Sequence, residues 1–287
     1  MVLTLTASGA ISAPTTRISV ATGGGQANGN SVSPEISGDG RFVAFYSTAT
    51  NLVSGDTNRK RDVFVRDLQT GATTRVSVYN GGFEADGNSF HPTLSADGRL
   101  VAFESDSFNL AWNDPDEGFD IYIYDRQADV IASMSVDDAG NMGNDTSTWP
   151  SMTPDGRYVA YATDATDIVP DDLNGTRDIV LYDRLSGAAN RLSLGNSGAE
   201  ADGDGSHPSI SDDGTLVAYE SNASNLVPGD SNADRAGELP SRPGPQGPRE
   251  VEAAGRTSDR AEPEARNAPR RRHAGQPGRG SPLADCC

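Results

Sequence analysis

The chain has 287 residues and a formal net charge of -18 at pH 7, with 35% hydrophobic residues and 32 glycines. An acidic surface repels nucleic-acid phosphates, and no apolar run is long enough to span a bilayer, so we expect neither a nucleic-acid partner nor a membrane span. Cys286 and Cys287 are the only cysteines, which excludes a disulfide framework and a cysteine-based zinc site in the body of the chain.

A repeat of 58 residues runs through most of the sequence. Its clearest mark is a turn with the sequence Asp-Gly, which stands in residues 37–40, 95–98, 153–156 and 211–214. A second mark has an aspartate at each end of a short apolar run, in residues 62–67, 120–125 and 178–183. Both marks keep one spacing without an insertion, so the repeat is not a coincidence.

Each copy is predicted to form four short β-strands. In the second copy these are residues 92–95, 99–105, 121–124 and 131–136, rich in β-branched and aromatic residues. Clusters of Gly, Asn and Asp separate them, as turns require. No stretch has a convincing helical period, so the fold class is all-β.

The strands also predict how the copies pack. The runs 100–103 and 121–124 are almost continuously apolar, which indicates sheets covered on both faces. One small sheet cannot cover both of its own faces, so neighbouring sheets must stack, and radial stacking gives a β-propeller. A β-sandwich is the alternative, but it does not require the same strands every 58 residues. We predict four-stranded antiparallel blades at about 32–78, 90–136 and 148–194.

Two further blades are expected to be partial. Residues 206–232 begin a fourth blade, whose third strand is due near residue 236 and is missing, while residues 15–20 read as the outer strand of another blade. We therefore predict an extension over 1–14, a propeller over 15–232, an exposed edge at 215–221 and a ring whose closure is doubtful. Residues 1–13 contain no Lys or Arg and do not form a typical signal peptide.

Residues 233–287 are predicted to be a disordered, low-complexity tail. They contain no Phe, Tyr or Trp and are rich in Pro, Gly and Arg, so they cannot bury enough apolar surface to become ordered. A natural basic tail and a shifted reading frame are the two hypotheses for its origin.

The repeat resembles the TolB-type, WD40-like propeller repeat of bacteria. The resemblance is carried by Pro-x-hydrophobic-Ser-x-Asp-Gly-Arg-x-Val-Ala-Phe/Tyr and by Asp-hydrophobic-aromatic-hydrophobic-x-Asp, and it covers roughly residues 15–232. The matching segments are 34–45, 62–67, 92–103, 120–125, 150–161, 178–183 and 208–219. The resemblance implies a propeller and an extracytoplasmic, periplasmic or secreted location. It is specific for architecture and not for activity.

The loop between the second and third strands of each copy is a candidate calcium site. It carries oxygen ligands spaced Asp-x-Asx, as calcium loops do, but no glutamate closes the set. An Asx-turn network, in which the side chains satisfy loop backbone groups, is the alternative. The candidate ligands are Asp56, Asn58, Asp62, Asp114, Asp116, Asp120, Asp172, Asn174 and Asp178.

A second candidate site lies where the innermost strands are expected to line the central channel. His91 and His207 stand before a proline in equivalent positions, which Trp149 occupies in the third copy. Together with Glu35 they form a candidate ligand or transition-metal site at the channel mouth. Polar residues filling a wet channel are the alternative.

These patterns favour a non-enzymatic scaffold or binding module that presents acidic loops to a protein, a glycan or a cation such as calcium. No nucleophile elbow, phosphate loop or dinucleotide fingerprint is found in the sequence. A polysaccharide lyase or hydrolase with a histidine-bound metal at the channel mouth is the alternative function. A chain that is a fragment with no independent function is the third.

Overall fold

The computed structural model describes residues 2–4, 15–111, 114–115, 118–229 and 239–241. The chain divides into two compact units, residues 1–245 and 246–287, and the second unit lies outside the described residues. Every secondary-structure element in these residues is a β-strand, which confirms the all-β class.

Three antiparallel sheets of four strands follow one another along the chain, each in sequence order from its innermost to its outermost strand. Blade 1 contains β3 (Ser31–Ile36), β4 (Phe42–Ser47), β5 (Asp62–Asp67) and β6 (Thr73–Arg75). Blade 2 contains β9 (Ser89–Leu94), β10 (Leu100–Ser105), β11 (Asp120–Asp125) and β12 (Val130–Ser133). Blade 3 contains β13 (Ser147–Met152), β14 (Tyr158–Thr163), β15 (Asp178–Asp183) and β16 (Ala188–Arg191).

A fourth sheet has three strands: β17 (Gly205–Ile210), β18 (Val217–Ser221) and β19 (Leu239–Ser241). The predicted exposed edge at 215–221 is therefore wrong for residues 217–219, because Val217 pairs with Ser241 and Tyr219 with Leu239. Within the segment predicted to be a disordered tail, residues 239–241 form a short strand whose backbone pairs with β18. Residues 233–238 and 242–287 lie outside the described residues.

Two small sheets complete the pairing. At the N-terminal end, β1 (Val2–Thr4) pairs with β2 (Thr15–Arg17), so the strand expected to belong to a partial blade forms a hairpin with part of the predicted extension. Between blades 1 and 2, β7 (Val78–Tyr79) pairs with β8 (Phe83–Glu84).

The Asp-Gly turns join the first two strands of each blade through one hydrogen-bond pattern. In blade 1 the Ser37 hydroxyl donates to Asp39 Oδ1 at 2.5 Å, and the Arg41 N–H donates to the same oxygen at 2.9 Å. Gly40 adopts a φ of 72°, which an L side chain rarely accepts. The residues of these turns therefore have a structural role.

Three of the four hydrophobic clusters in the described residues lie between blades, and the fourth packs Ile18 and Leu52 on blade 1. One buried cluster joins Phe42 and Val65 of blade 1 to Phe103 and Tyr122 of blade 2, and similar clusters join blade 2 to blade 3 and blade 3 to blade 4. Blades 2 and 3 are thus covered on both faces, as their apolar strands predict. This stacking of four-stranded sheets is the packing of a β-propeller.

A bulge in each innermost strand turns one side chain toward the channel. In blade 1 the strand register shifts between Val32 and Glu35, and the equivalent shift occurs in the other three blades. The bulged residues all have positive φ angles between 43° and 56°: Ser33, His91, Trp149 and His207. Because all four copies share this strained backbone, it belongs to the repeat and is not particular to the histidines.

Candidate functional site

The four bulged residues surround one pocket of about 270 Å³ at the channel mouth. Its wall is made of these residues, the proline that follows each of them, and Glu35: Ser33, Pro34, Glu35, His91, Pro92, Trp149, Pro150, His207 and Pro208. The structure thus brings together all four residues predicted at the channel mouth: Glu35, His91, Trp149 and His207.

Glu104 positions two of these residues. Its side chain is buried, 7% exposed, and its Oε1 lies 2.9 Å from Nδ1 of His91. Its Oε2 accepts the backbone N–H of Trp149 in the next blade at 2.7 Å. The contact with Glu104 raises the pKa of His91 above its ordinary value, because a neighbouring carboxylate favours the imidazolium form.

Trp149 and His207 form an aromatic stack beside this pair. Their ring centroids are 4.2 Å apart and their planes differ by 25°. The guanidinium of Arg177 lies 5.3 Å from the centre of the indole ring, and Glu220 lies 3.4 Å from Nδ1 of His207. The stack places a broad aromatic surface in the pocket, with charged groups at its margin.

Glu35 connects the pocket to the packing of blades 1 and 2. Its Oε1 accepts the hydroxyl of Thr93 at 2.9 Å and the backbone N–H of Leu94 at 3.1 Å. Burial raises the pKa of this carboxyl group. Glu35 therefore lines the pocket and also joins two blades.

In the first and third copies, an arginine from the outermost strand contacts the candidate calcium ligands. Nη1 of Arg75 lies 2.8 Å from Glu84 Oε1 and 3.6 Å from oxygens of both Asp56 and Asp62. Arg191 contacts the equivalent residues, Asp172, Asp178 and Glu200. In both copies the guanidinium supplies the positive charge that these buried carboxylates need.

The asparagines of these loops act as turn residues. The Asn58 Oδ1 accepts the Lys60 N–H at 2.9 Å, and its amide group donates to the Ala85 carbonyl at 3.0 Å. Asn174 forms the equivalent bonds in the third copy. These bonds are those of the Asx-turn alternative.

The second copy differs, because Ser133 stands where the first and third copies have arginine. Asp120 is 1% exposed and accepts the Ser135 hydroxyl at 2.6 Å, and the Tyr122 hydroxyl lies 3.4 Å from Asp114 Oδ2. Asp116 lies outside the described residues. Over residues 15–111, 114–115 and 118–229, no group of three or more His, Cys, Asp or Glu side chains is arranged to hold a metal ion.

Glu104, Arg75 and Arg191 were not predicted from the sequence. A signal for Glu104 exists, because the copies with a channel histidine, His91 and His207, also have a glutamate thirteen residues later, Glu104 and Glu220. The arginines also have a signal: Arg75 and Arg191 are each followed, nine residues later, by the glutamate they bind.

The strand pairing, the interblade cores and the channel-mouth pocket define a β-propeller, which confirms the architecture expected from the TolB-type pattern. The structure of TolB from Acinetobacter baumannii is similar, with 22% sequence identity, 67% of this chain and 38% of that chain covered, and a TM-score of 0.42. The β-propeller domain of the Trilobed protease from Pyrococcus furiosus gives 11% identity, coverage of 67% and 48%, and a TM-score of 0.41.

An oligogalacturonate lyase in complex with manganese is also similar, with 14% identity, 74% of this chain and 54% of that chain covered, and a TM-score of 0.44. The chain thus spans less than two thirds of the length of each of these proteins. No protein-family model and no curated protein sequence matches the chain. The described residues contain no helix with the length and apolar character needed to cross a membrane.

Proposed function

We propose that the chain is a non-enzymatic binding module of the β-propeller class whose ligand site is the channel mouth. The observation that carries this proposal is the fixed position of the pocket residues: Glu104 holds His91 and the backbone of Trp149, and Trp149 stacks on His207. A pocket whose side chains are already held in place loses little entropy when it binds a ligand. Convergent aromatic and ionisable groups in a concave site are typical of ligand pockets.

A protein segment with positive charge or hydrogen-bond donors is the ligand class we propose. The chain carries a net charge of -18, so a basic segment is attracted to it, and an acidic polysaccharide is repelled. A neutral glycan is the alternative ligand, because the pocket offers an aromatic surface beside polar groups. The extracytoplasmic location implied by the sequence resemblance belongs to this proposal.

Peptide and glycan arrays test the ligand class. Wild-type protein is compared with the double variant Trp149→Ala/His207→Ala, and Leu185→Ala serves as the matched control because Leu185 is 78% exposed outside the pocket. We expect wild type and Leu185→Ala to bind the same basic peptides, and the double variant to lose them by at least tenfold in Kd. Equal binding by all three proteins rejects the channel mouth as the site.

One observation favours the enzymatic alternative enough to test it. Both channel histidines have Nδ1 facing a carboxylate, Glu104 or Glu220, and metal-binding histidines commonly use such a carboxylate to orient the ring. Calorimetry with Mn²⁺ and Zn²⁺ on wild type and His91→Ala/His207→Ala tests this site. Metal uptake that both substitutions abolish, together with turnover of an acidic polysaccharide, supports the enzyme. Unchanged uptake rejects it.

Calcium in the acidic loops is a separate proposal, and it is tested in the second copy, where Asp114 and Asp120 carry the loop spacing. Calorimetry with Ca²⁺ and melting with and without a chelator compare wild type with Asp114→Ala. We expect calcium to raise the Tm of wild type and not of the variant. A Tm that calcium leaves unchanged removes this clause and leaves the proposal for the channel mouth intact.

A further inference from the structure

The first and fourth blades each have a face that no further blade covers in the described residues. We call the set Val32, Ile36 and Gly40 the blade 1 end face, and the set Ser209, Leu216 and Ala218 the blade 4 end face. Ile36 is 45% exposed and Leu216 is 38% exposed. The three junctions inside the chain show what normally packs on each face.

At each internal junction, the apolar or aromatic residue two positions after the turn glycine packs against the turn glycine of the next blade. A side chain at Gly98 would collide with Phe42, one at Gly156 with Leu100, and one at Gly214 with Tyr158. The equivalent glycine of blade 1, Gly40, has no atom within 4 Å of this position. The equivalent apolar residue of blade 4 is Leu216, so one end face has the empty position and the other has the side chain that fits it.

Burial at equivalent positions shows the same complementarity. Ile36 corresponds to Leu94 and Met152, which are only 6% and 7% exposed because the preceding blade covers them. Leu216 corresponds to Phe42 and Leu100, which are 8% and 7% exposed.

Ala218 is partly exposed, whereas its counterparts Ala44, Ala102 and Ala160 are fully buried. The two end faces therefore lack the apolar cover that their equivalents receive from neighbouring blades.

Hydrogen bonds also cross the internal junctions, and the end faces carry the equivalent polar groups. The Leu94 N–H donates to Glu35 of the preceding blade at 3.1 Å, and the Ile210 N–H donates to Ser151 Oγ at 3.2 Å. Ser209 is exposed at the same position of blade 4. It can therefore accept a hydrogen bond from the Ile36 N–H of another blade 1.

We propose that two copies of this chain associate head to tail, with the blade 4 end face of each packing on the blade 1 end face of the other. The partner is a second copy of this chain. At the three internal junctions, the equivalent of one end face packs on the equivalent of the other, and the chain carries both faces. Two junctions related by a two-fold axis close a ring of eight blades, which is within the range of known propellers. This proposal is independent of the proposed ligand site.

Sedimentation velocity over a concentration series tests the dimer with Ile36→Asp, Leu216→Asp and the control Leu185→Asp. Both end-face residues are already partly exposed, so an aspartate there leaves the fold intact, and melting curves verify this for each variant. We expect wild type and Leu185→Asp to form dimers as concentration rises. Each end-face variant alone is expected to stay monomeric, because a charge in either face blocks both junctions of a two-copy ring.

Mixing the two end-face variants is the decisive measurement. An equimolar mixture retains one intact junction, between the unaltered blade 4 end face of Ile36→Asp and the unaltered blade 1 end face of Leu216→Asp. We therefore expect the mixture to form a one-to-one dimer. A monomeric wild type at every concentration, dimers of either end-face variant alone, or a mixture that stays monomeric each overturns the proposal.

Discussion

The buried carboxylate of Glu104 in blade 2 accepts the backbone N–H of Trp149 in blade 3 at 2.7 Å. Trp149 has a φ of 56° at this point, so the hydrogen bond supports a strained backbone where the indole enters the pocket. The other oxygen of Glu104 contacts His91. One side chain therefore couples the packing of two blades to the protonation of a pocket residue.

Replacing Glu104 by Gln is expected to lower the pKa of His91 toward its ordinary value, because the carboxylate that favours the imidazolium is removed. In wild type, the His91–Glu104 pair contributes stability that is fully present below pH about 6.5, the ordinary histidine pKa. This stability is lost as pH rises through the higher value of the folded state. NMR titration of the His91 ring measures the shift, with Glu220→Gln as control. An unchanged His91 pKa in Glu104→Gln contradicts the prediction.

Removing Arg75 is expected to destabilise the fold by about 3–5 kcal/mol, because Asp56 and Asp62 then remain buried without a counter-charge. The side chain of Arg75 is 7% exposed and that of Asp62 is 0% exposed. The comparison is between Arg75→Met and Arg59→Met, since Arg59 is exposed at the surface. Urea unfolding should show a large loss for the first and little change for the second. Equal losses of stability would mean that the burial of Arg75 with Asp56 and Asp62 does not matter.

The buried aspartates predict a particular dependence of stability on pH. Burial raises the pKa of Asp62 and of Asp178 to about 6, against about 3.9 in the unfolded chain. The folded state therefore binds more protons between these values, so the contribution of these groups is full below pH about 4 and lost as pH rises through about 6.

The variant Asp62→Asn/Asp178→Asn removes this titration while each amide oxygen can still accept the serine hydroxyl nearby. We expect its Tm to fall less than that of wild type between pH 4 and 6.5. Asp213→Asn is the control, because hydrogen bonds lower the pKa of Asp213 to about 2 and its effect lies below pH 4. Parallel Tm curves for wild type and the double variant above pH 4 would reject the assignment.

Two glycine substitutions separate backbone strain from blade packing. Gly40→Ala and Gly98→Ala both place a side chain at a positive φ, 72° and 65°, which costs about 1–2 kcal/mol. At Gly98 the new methyl group also collides with Phe42, which adds about 1–3 kcal/mol of overpacking. Urea unfolding of the dilute monomer is expected to show the larger loss for Gly98→Ala. If the two losses are equal, the packing of Phe42 on Gly98 is not the constraint we describe.

Much of the architecture is predictable from the sequence because one pattern recurs in register. The second strand of blade 2 was expected at 99–105 and is Leu100–Ser105, and the third was expected at 121–124 and is Asp120–Asp125. Strand ends are less predictable, as the outer strand shows: it was expected at 131–136 and is Val130–Ser133. The pairing of Leu239–Ser241 was missed because its Leu-Pro-Ser sequence has no strand pattern.

The channel residues were found from their equivalent positions, whereas their contacts were not. His91 and Glu104 are thirteen residues apart, and the bulge before Pro92 decides that they meet. Trp149 and His207 stack although 58 positions separate them. Similarly, the spacing of Asp56 and Asp62 resembles a cation loop, but Arg75 from β6 is brought to those carboxylates by strand pairing.

The amino-acid order alone therefore determined the repeat, the strands and the side chains offered at each blade, because alternation and turn chemistry act between near neighbours. Tertiary structure decided which of those side chains meet, through the bulges and the packing of one blade on the next. Charge compensation and ring stacking depend on distances across blades, and these distances are set by the arrangement of whole sheets.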